Sequence, residues 1–238
     1  MDILYNLIYT IVISLIPSLI WLWFVLKKDV HPEKFKNIFN VFFLGMLVAI
    51  PVLIISFIGN DLIKVFNLEI NPFLSTFLFG ALNEELVKFL VFYIFVFKSK
   101  FCDEPIDIFI YAGTLSLGFA GIENIFVSLN NFDSVGGGEL ESILILRTIT
   151  AVVVHLISTF LFAYAFYIYQ NNKNKLYLIF GVVLSIGFHS IYNFVLALSK
   201  LKIYNVSAYL EYIYILIFLP MFLYMLFLVS KLQKASKS

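Results

Sequence analysis

The run Phe77-Leu78-Phe79-Gly80-Ala81-Leu82-Asn83-Glu84-Glu85-Leu86-Val87-Lys88-Phe89-Leu90-Val91-Phe92 decides how this chain folds. It lies within an apolar stretch of about 72–97, and a helix needs about 20 such residues to cross the hydrocarbon core of a bilayer. Asn71-Pro72 supplies a start signal, a capping side chain followed by a proline at the first helical position. Three charges stand mid-span, Glu84, Glu85 and Lys88. Each costs roughly 2.5–3.5 kcal/mol on the insertion scale, while each Leu, Ile or Phe gains roughly 0.3–0.6. The helix is therefore marginal alone and needs polar partners from neighbouring helices.

Outward from this stretch, six more qualify as spans: about 3–26, 38–59, 106–129, 143–169, 176–198 and 205–230. The chain is 62% hydrophobic, against roughly 45–50% in soluble domains, which excludes a water-soluble globule of this length. The expected fold is all-α: a multi-pass transmembrane helical bundle of about seven spans, forming a single integral membrane domain over residues 1–238. The stretch 3–26 is too long for a signal-peptide core of about 7–15 residues and reads as a retained first helix. Pro17, Pro51 and Pro220 fall inside helices as expected kinks, Glu104-Pro105 reads as another helix start, and Gly136-Gly137-Gly138 reads as a flexible loop. Net charge is +1 with no basic arm, so no nucleic-acid partner is indicated; the partner implied by composition is the lipid bilayer. Cys102 stands alone and reads as an inert loop thiol.

Lysines orient the bundle. Lys27, Lys28, Lys34, Lys36, Lys98, Lys100, Lys173, Lys175, Lys231, Lys234 and Lys237 fall on one side, and Lys64, Lys200 and Lys202 on the other. Eleven against three places the first set in the cytoplasm, with the N-terminus outside and the C-terminus inside.

Residues four apart share a helix face. At that spacing the third span reads Thr76, Gly80, Glu84, Lys88; the fourth Ala112, Ser116, Ala120, Asn124, with Glu123 adjacent. The fifth reads Arg147, Ala151, His155, Thr159, Ala163, and the sixth Gly181, Ser185, His189, Asn193. Small residues allow close helix approach, and ionisable groups within a membrane mark functional sites. Spans one, two and seven show no such stripe, so spans three to six are expected to form a polar core wrapped by the others. Counted from the outer end, the ionisable groups lie roughly 9–18 Å deep. Arg147, near an outer end, could snorkel, and Glu123 could pair with it. Asn83 and Asn124 read as structural.

This inventory suits hydrolysis, which needs a base for water, donors for an oxyanion and a proton for the leaving group. Glu84 or Glu85 could be the base. His155 and His189 could hold the water or protonate the amine, and Asn193 could donate to the oxyanion. The same groups could instead hold zinc through His155, His189 and Glu84 or Glu85, with a fourth position for water. Lys88 and Arg147 are charge partners for the three glutamates. The formal sum of three negative and two positive charges leaves one positive charge missing.

Four motifs in order, Glu84-Glu85-x-x-Lys88, Gly118-x-x-x-x-Glu123-Asn124, Arg147 seven residues before His155, and His189-x-x-x-Asn193, resemble the PrsW family of intramembrane proteases. That family is grouped with the type II CAAX prenyl endopeptidases and bacterial CPBP proteins. The resemblance covers about residues 72–198, the expected catalytic core. It implies an endopeptidase cleaving a membrane-associated protein, an anti-sigma factor being the family's known kind of substrate. It implies catalytic roles for Glu84, Glu85, His155 and His189, with Asn193 at the oxyanion site and Glu123 within the motif set. Lys88 follows the second glutamate by three residues, where the CAAX pattern has an arginine at four, which favours PrsW. Ala151-x-x-x-His155 stands where Phe-x-x-x-His is usual. The group has been described both as metalloproteases and as glutamate-based proteases. Two other function classes use similar residues: a proton- or ion-coupled transporter, against which stands the lack of inverted repeats, and a non-catalytic APH-1-like scaffold.

Overall fold

In the computed structural model, residues 3–29, 31–131 and 137–200 are described, with Leu223 and Phe227. All regular structure among them is helical. The order is α1 Ile3–Leu26, α2 Phe35–Val65, α3 Pro72–Thr76, a π-helical segment Phe77–Leu82, α4 Asn83–Val91, a second π-helical segment Phe92–Phe97, α5 Asp107–Asn131, α6 Gly137–Ile149, α7 Ala151–Asn172 and α8 Leu176–Lys200. Among the described residues, five helical segments are long and apolar enough to cross a membrane: Leu7–Leu26, Phe35–Val65, Asp107–Asn130, Leu140–Asn172 and Leu176–Leu198. The expected seventh span, with Pro220, lies outside the described residues apart from Leu223 and Phe227.

The third stretch is helical from Pro72 to Phe97 but not uniformly so. Asn71 Oδ1 accepts the Phe73 N–H at 2.8 Å, and Pro72 sits in the first turn, as the sequence indicates. The π segment that follows is kinked at Gly80 (φ −98°, ψ −106°), one turn before Glu84. Irregular backbone at membrane depth needs its groups satisfied from elsewhere. Ser56 of α2 does this, donating to the Phe79 carbonyl at 3.0 Å, while Asn83 Nδ2 donates to the Val52 carbonyl at 2.9 Å. Asn83 is thus structural.

The fifth stretch is also interrupted. Instead of one helix over 143–169, α6 and α7 meet at Thr150, whose φ of −115° and ψ of −89° are non-helical. Two of the expected loop glycines, Gly137 and Gly138, belong to the first turn of α6. Arg147 therefore lies ten residues along from Gly137 and does not snorkel. Its guanidinium Nε donates to Asn124 at 2.6 Å inside the bundle. At the other junction, the carboxylate that organises the start of α5 is Asp107, which accepts the N–H groups of Asp103 and Glu104; Glu104 pairs with His31 at 2.9 Å.

α5 is buried along almost its whole length, from Ile106 and Ile108 through Tyr111, Leu115 and Ala120 to Asn124. α2 crosses it at near-backbone contact. A Cβ on Gly118 would stand 2.0 Å from the Phe42 carbonyl oxygen, and one on Gly45 equally close to that of Leu115. α7 and α8 meet similarly, Gly181 facing Ala165. α1 and α2 turn Phe24, Trp23, Phe43 and Phe57 outward, as lipid-facing helices do. The first helix nonetheless departs from expectation, because it has a polar stripe. Thr10, Ser14 and Ser18 are fully buried, with Ser18 beside Gly121 of α5 and Ser14 Oγ donating to Ser128 of α5 at 2.7 Å. Cys102 is a partly buried loop residue, and burial pushes its thiol up to about 12, consistent with an inert role.

Candidate active site

The four polar stripes converge. α4 brings Glu84, Glu85 and Lys88, α5 brings Glu123, α7 brings His155 and α8 brings His189. The two imidazole centroids are 5.0 Å apart and their rings perpendicular.

The adjacent glutamates have different surroundings. Glu85 is fully buried and fully partnered. Its Oε1 receives Lys88 Nζ at 2.5 Å and His189 Nδ1 at 2.7 Å, with Ser158 Oγ at 3.1 Å, and its Oε2 receives Ser185 Oγ at 2.8 Å. Glu84 Oε2 is buried without a hydrogen-bond partner among the described residues. It faces His189 Nε2 at 3.9 Å. That gap is one a single water can bridge.

His155 is held from both sides. Its Nε2 lies 2.6 Å from Glu123 Oε2, and its Nδ1 lies 3.3 Å from Lys88 Nζ. Glu123 in turn pairs through Oε1 with Arg147 Nη2 at 3.1 Å. The chain continues outward: Arg147 donates to Asn124 Oδ1, and Asn124 Nδ2 donates to the Ser14 carbonyl at 3.3 Å. Lys88 balances Glu85 and Arg147 balances Glu123, so the charge the sequence leaves unmatched falls on Glu84.

Asn193, one turn beyond His189, sits at the kink of the third stretch. A Cβ on Gly80 would come within 3.1 Å of its Nδ2. The cluster thus joins Glu84, Glu85, Lys88, Glu123, Arg147, His155 and His189, with Asn193 placed beside Gly80, one turn from Glu84. Ser158 and the α1 stripe go unnoticed in the sequence. Ser158 has a faint signal, lying three residues after His155 on the same face. Phe119, whose ring is 5.3 Å from His155 edge-on, has none.

A family model described as PrsW family intramembrane metalloprotease matches residues 33–225. Several curated proteins named Protease PrsW are similar over most of their length. That of Geobacillus kaustophilus is 29% identical over 176 residues, 73% of each chain. The Oceanobacillus iheyensis protein is 31% identical over 182 residues, 76% of this chain and 79% of its own. The Shouchella clausii protein is 26% identical over 230 residues, 94% and 95% of the two chains. No solved structure matches.

The family description includes a metal. Donor atoms of Glu84, His155 and His189 do lie within 4.8 Å of one another. Both ring nitrogens of His155 are engaged, however, by Lys88 and Glu123. Open lone pairs remain on Glu84 Oε2 and His189 Nε2, whereas a catalytic zinc takes three protein ligands. Glu85 is not a substitute, since both its oxygens are occupied. As arranged, these residues do not fit a catalytic metal ion.

Proposed function

This chain belongs to the PrsW family of intramembrane proteases, and we propose that it hydrolyses a peptide bond of a membrane-associated protein with water activated by Glu84. The observation that carries the reading is the unpartnered, buried Glu84 Oε2 facing the open Nε2 of His189 at 3.9 Å. A water between them donates one hydrogen to each and turns its lone pair toward the substrate carbonyl. Glu84 takes a proton as the water oxygen bonds to the carbonyl carbon. Asn193 Nδ2 donates to the oxyanion that forms. As the C–N bond breaks, Glu84 returns the proton to the leaving amine, giving one new carboxyl and one new amino terminus. Glu85, Lys88, His155, Glu123 and Arg147 hold the reacting groups in place.

In this reading residues 72–198 supply the chemistry within one membrane domain. The substrate class is a membrane-tethered protein of the anti-sigma-factor kind. The lysine-bearing loops form the cytoplasmic end. Their clustering supports this: His31 in the first joins Glu104 in the second, and Phe97 packs 6.3 Å from Tyr169 beside the third.

The test is cleavage of a tethered reporter by purified protein in lipid. Glu84→Gln keeps the shape and removes the base, and it is expected to lower cleavage by at least about 10²-fold. Exhaustive chelation is expected to leave wild-type cleavage unchanged. Full activity in Glu84→Gln refutes the assignment of the base, and loss on chelation that returns with metal refutes the metal-free reaction.

A further inference from the structure

Lys88 is fully buried, three residues from Glu85 and on a helix facing both histidines. Its ammonium has three protons and no lone pair. Each proton has a destination: Glu85 Oε1 at 2.5 Å, His155 Nδ1 at 3.3 Å, and the face of Phe119, whose centroid is 5.1 Å away. An ammonium beside His155 Nδ1 requires that nitrogen to accept. The imidazole proton then sits on Nε2, where Glu123 Oε2 receives it at 2.6 Å. The same ammonium, with Ser158 and Ser185, surrounds Glu85 with donors and keeps it an acceptor. Glu85 Oε1 therefore takes the proton of His189 Nδ1, leaving the His189 Nε2 lone pair toward Glu84.

We propose that Lys88 is a positioning residue that sets the tautomers of both histidines in opposite senses, His155 protonated at Nε2 and His189 at Nδ1. One cation thereby closes His155 to ligation and opens His189 toward the reacting water. This rests on the reading of Glu84 as base for its consequence, though not for its geometry. A histidine held in the wrong tautomer costs about 10⁴ in turnover in a serine protease, so the effect is large enough to matter.

The decisive measurement is nitrogen NMR of the full chain in lipid nanodiscs with 15N-labelled histidine, signals being assigned with His31→Gln and His189→Gln. Protonated and bare ring nitrogens resonate far apart. Wild type is expected to show two neutral rings of opposite tautomer, as stated. Lys88→Met is expected to lose the single form of His155 and to lower cleavage by about 10²–10⁴-fold. Glu123→Gln, whose amide oxygen still accepts, is expected to leave the His155 tautomer unchanged. A wild-type His155 protonated at Nδ1 overturns the proposal, even if Lys88→Met does not fold. So does a Glu123→Gln variant in which His155 switches form. The two readings fail separately: correct tautomers with full cleavage in Glu84→Gln sink the base assignment alone, and wrong tautomers with cleavage lost in Glu84→Gln sink the Lys88 role alone.

Discussion

Among the described residues, Glu85 has four hydrogen-bonding neighbours and Glu84 Oε2 has none, although the two residues are adjacent and about 100° apart around the helix. Their substitutions should therefore separate. Glu85→Ala strands the Lys88 ammonium in a fully buried place, a change that costs about 3–5 kcal/mol. Glu84→Ala removes a carboxylate whose Oε2 has no hydrogen bond among the described residues and faces His189 only at 3.9 Å, so it strands no buried charge and should cost clearly less than Glu85→Ala. Thermal unfolding in detergent distinguishes them, with a large drop in midpoint expected for Glu85→Ala only. At this scale the sequence is informative because ionisable groups are rare in lipid and conspicuous when present. Glu84, Glu85, Glu123, His155 and His189 identify themselves. Hydroxyls do not: Ser158 and Ser14 resemble any small residue in an apolar helix, and only the fold reveals which of them meets a carboxylate or a neighbouring hydroxyl.

Among the elements, helix existence is legible and helix continuity is not. The interruption at Thr150 has neither proline nor glycine to announce it, and its neighbours Ile149 and Ala151 are ordinary helical residues. Gly80 is visible in the sequence, yet the π-helical backbone around it depends on Ser56 from another helix. The crossing of α2 and α5 is a better-marked case. Gly118 already stands in the polar pattern, and the structure gives it a steric reason: its backbone meets the Phe42 carbonyl with no room for a Cβ. Gly118→Ala should force the helices apart and destabilise the fold by about 1–3 kcal/mol. Unfolding in detergent should show this, while the same change at Gly187, which has open space around it, should be near neutral.

For the whole molecule, the lysine count predicts a sidedness that labelling can test. Lys100 is exposed at the proposed cytoplasmic end and Glu69 at the opposite end. In a Cys102→Ser background, a membrane-impermeant maleimide added to intact cells should label Glu69→Cys and spare Lys100→Cys. The reverse pattern would invert the bundle. The sequence also suggests that the first helix is mere wrapping, since it has no charge to draw attention. Its hydroxyls and carbonyls nevertheless meet α5, and the Ser14 carbonyl ends a path running through Asn124, Arg147 and Glu123 to His155. A minimal version trimmed to the helices bearing ionisable groups would retain every acid and base and yet leave Asn124, the residue that holds that arginine, without its Ser14 partner. Efforts to shrink or transplant the hydrolytic unit must bring this apparently dispensable segment along.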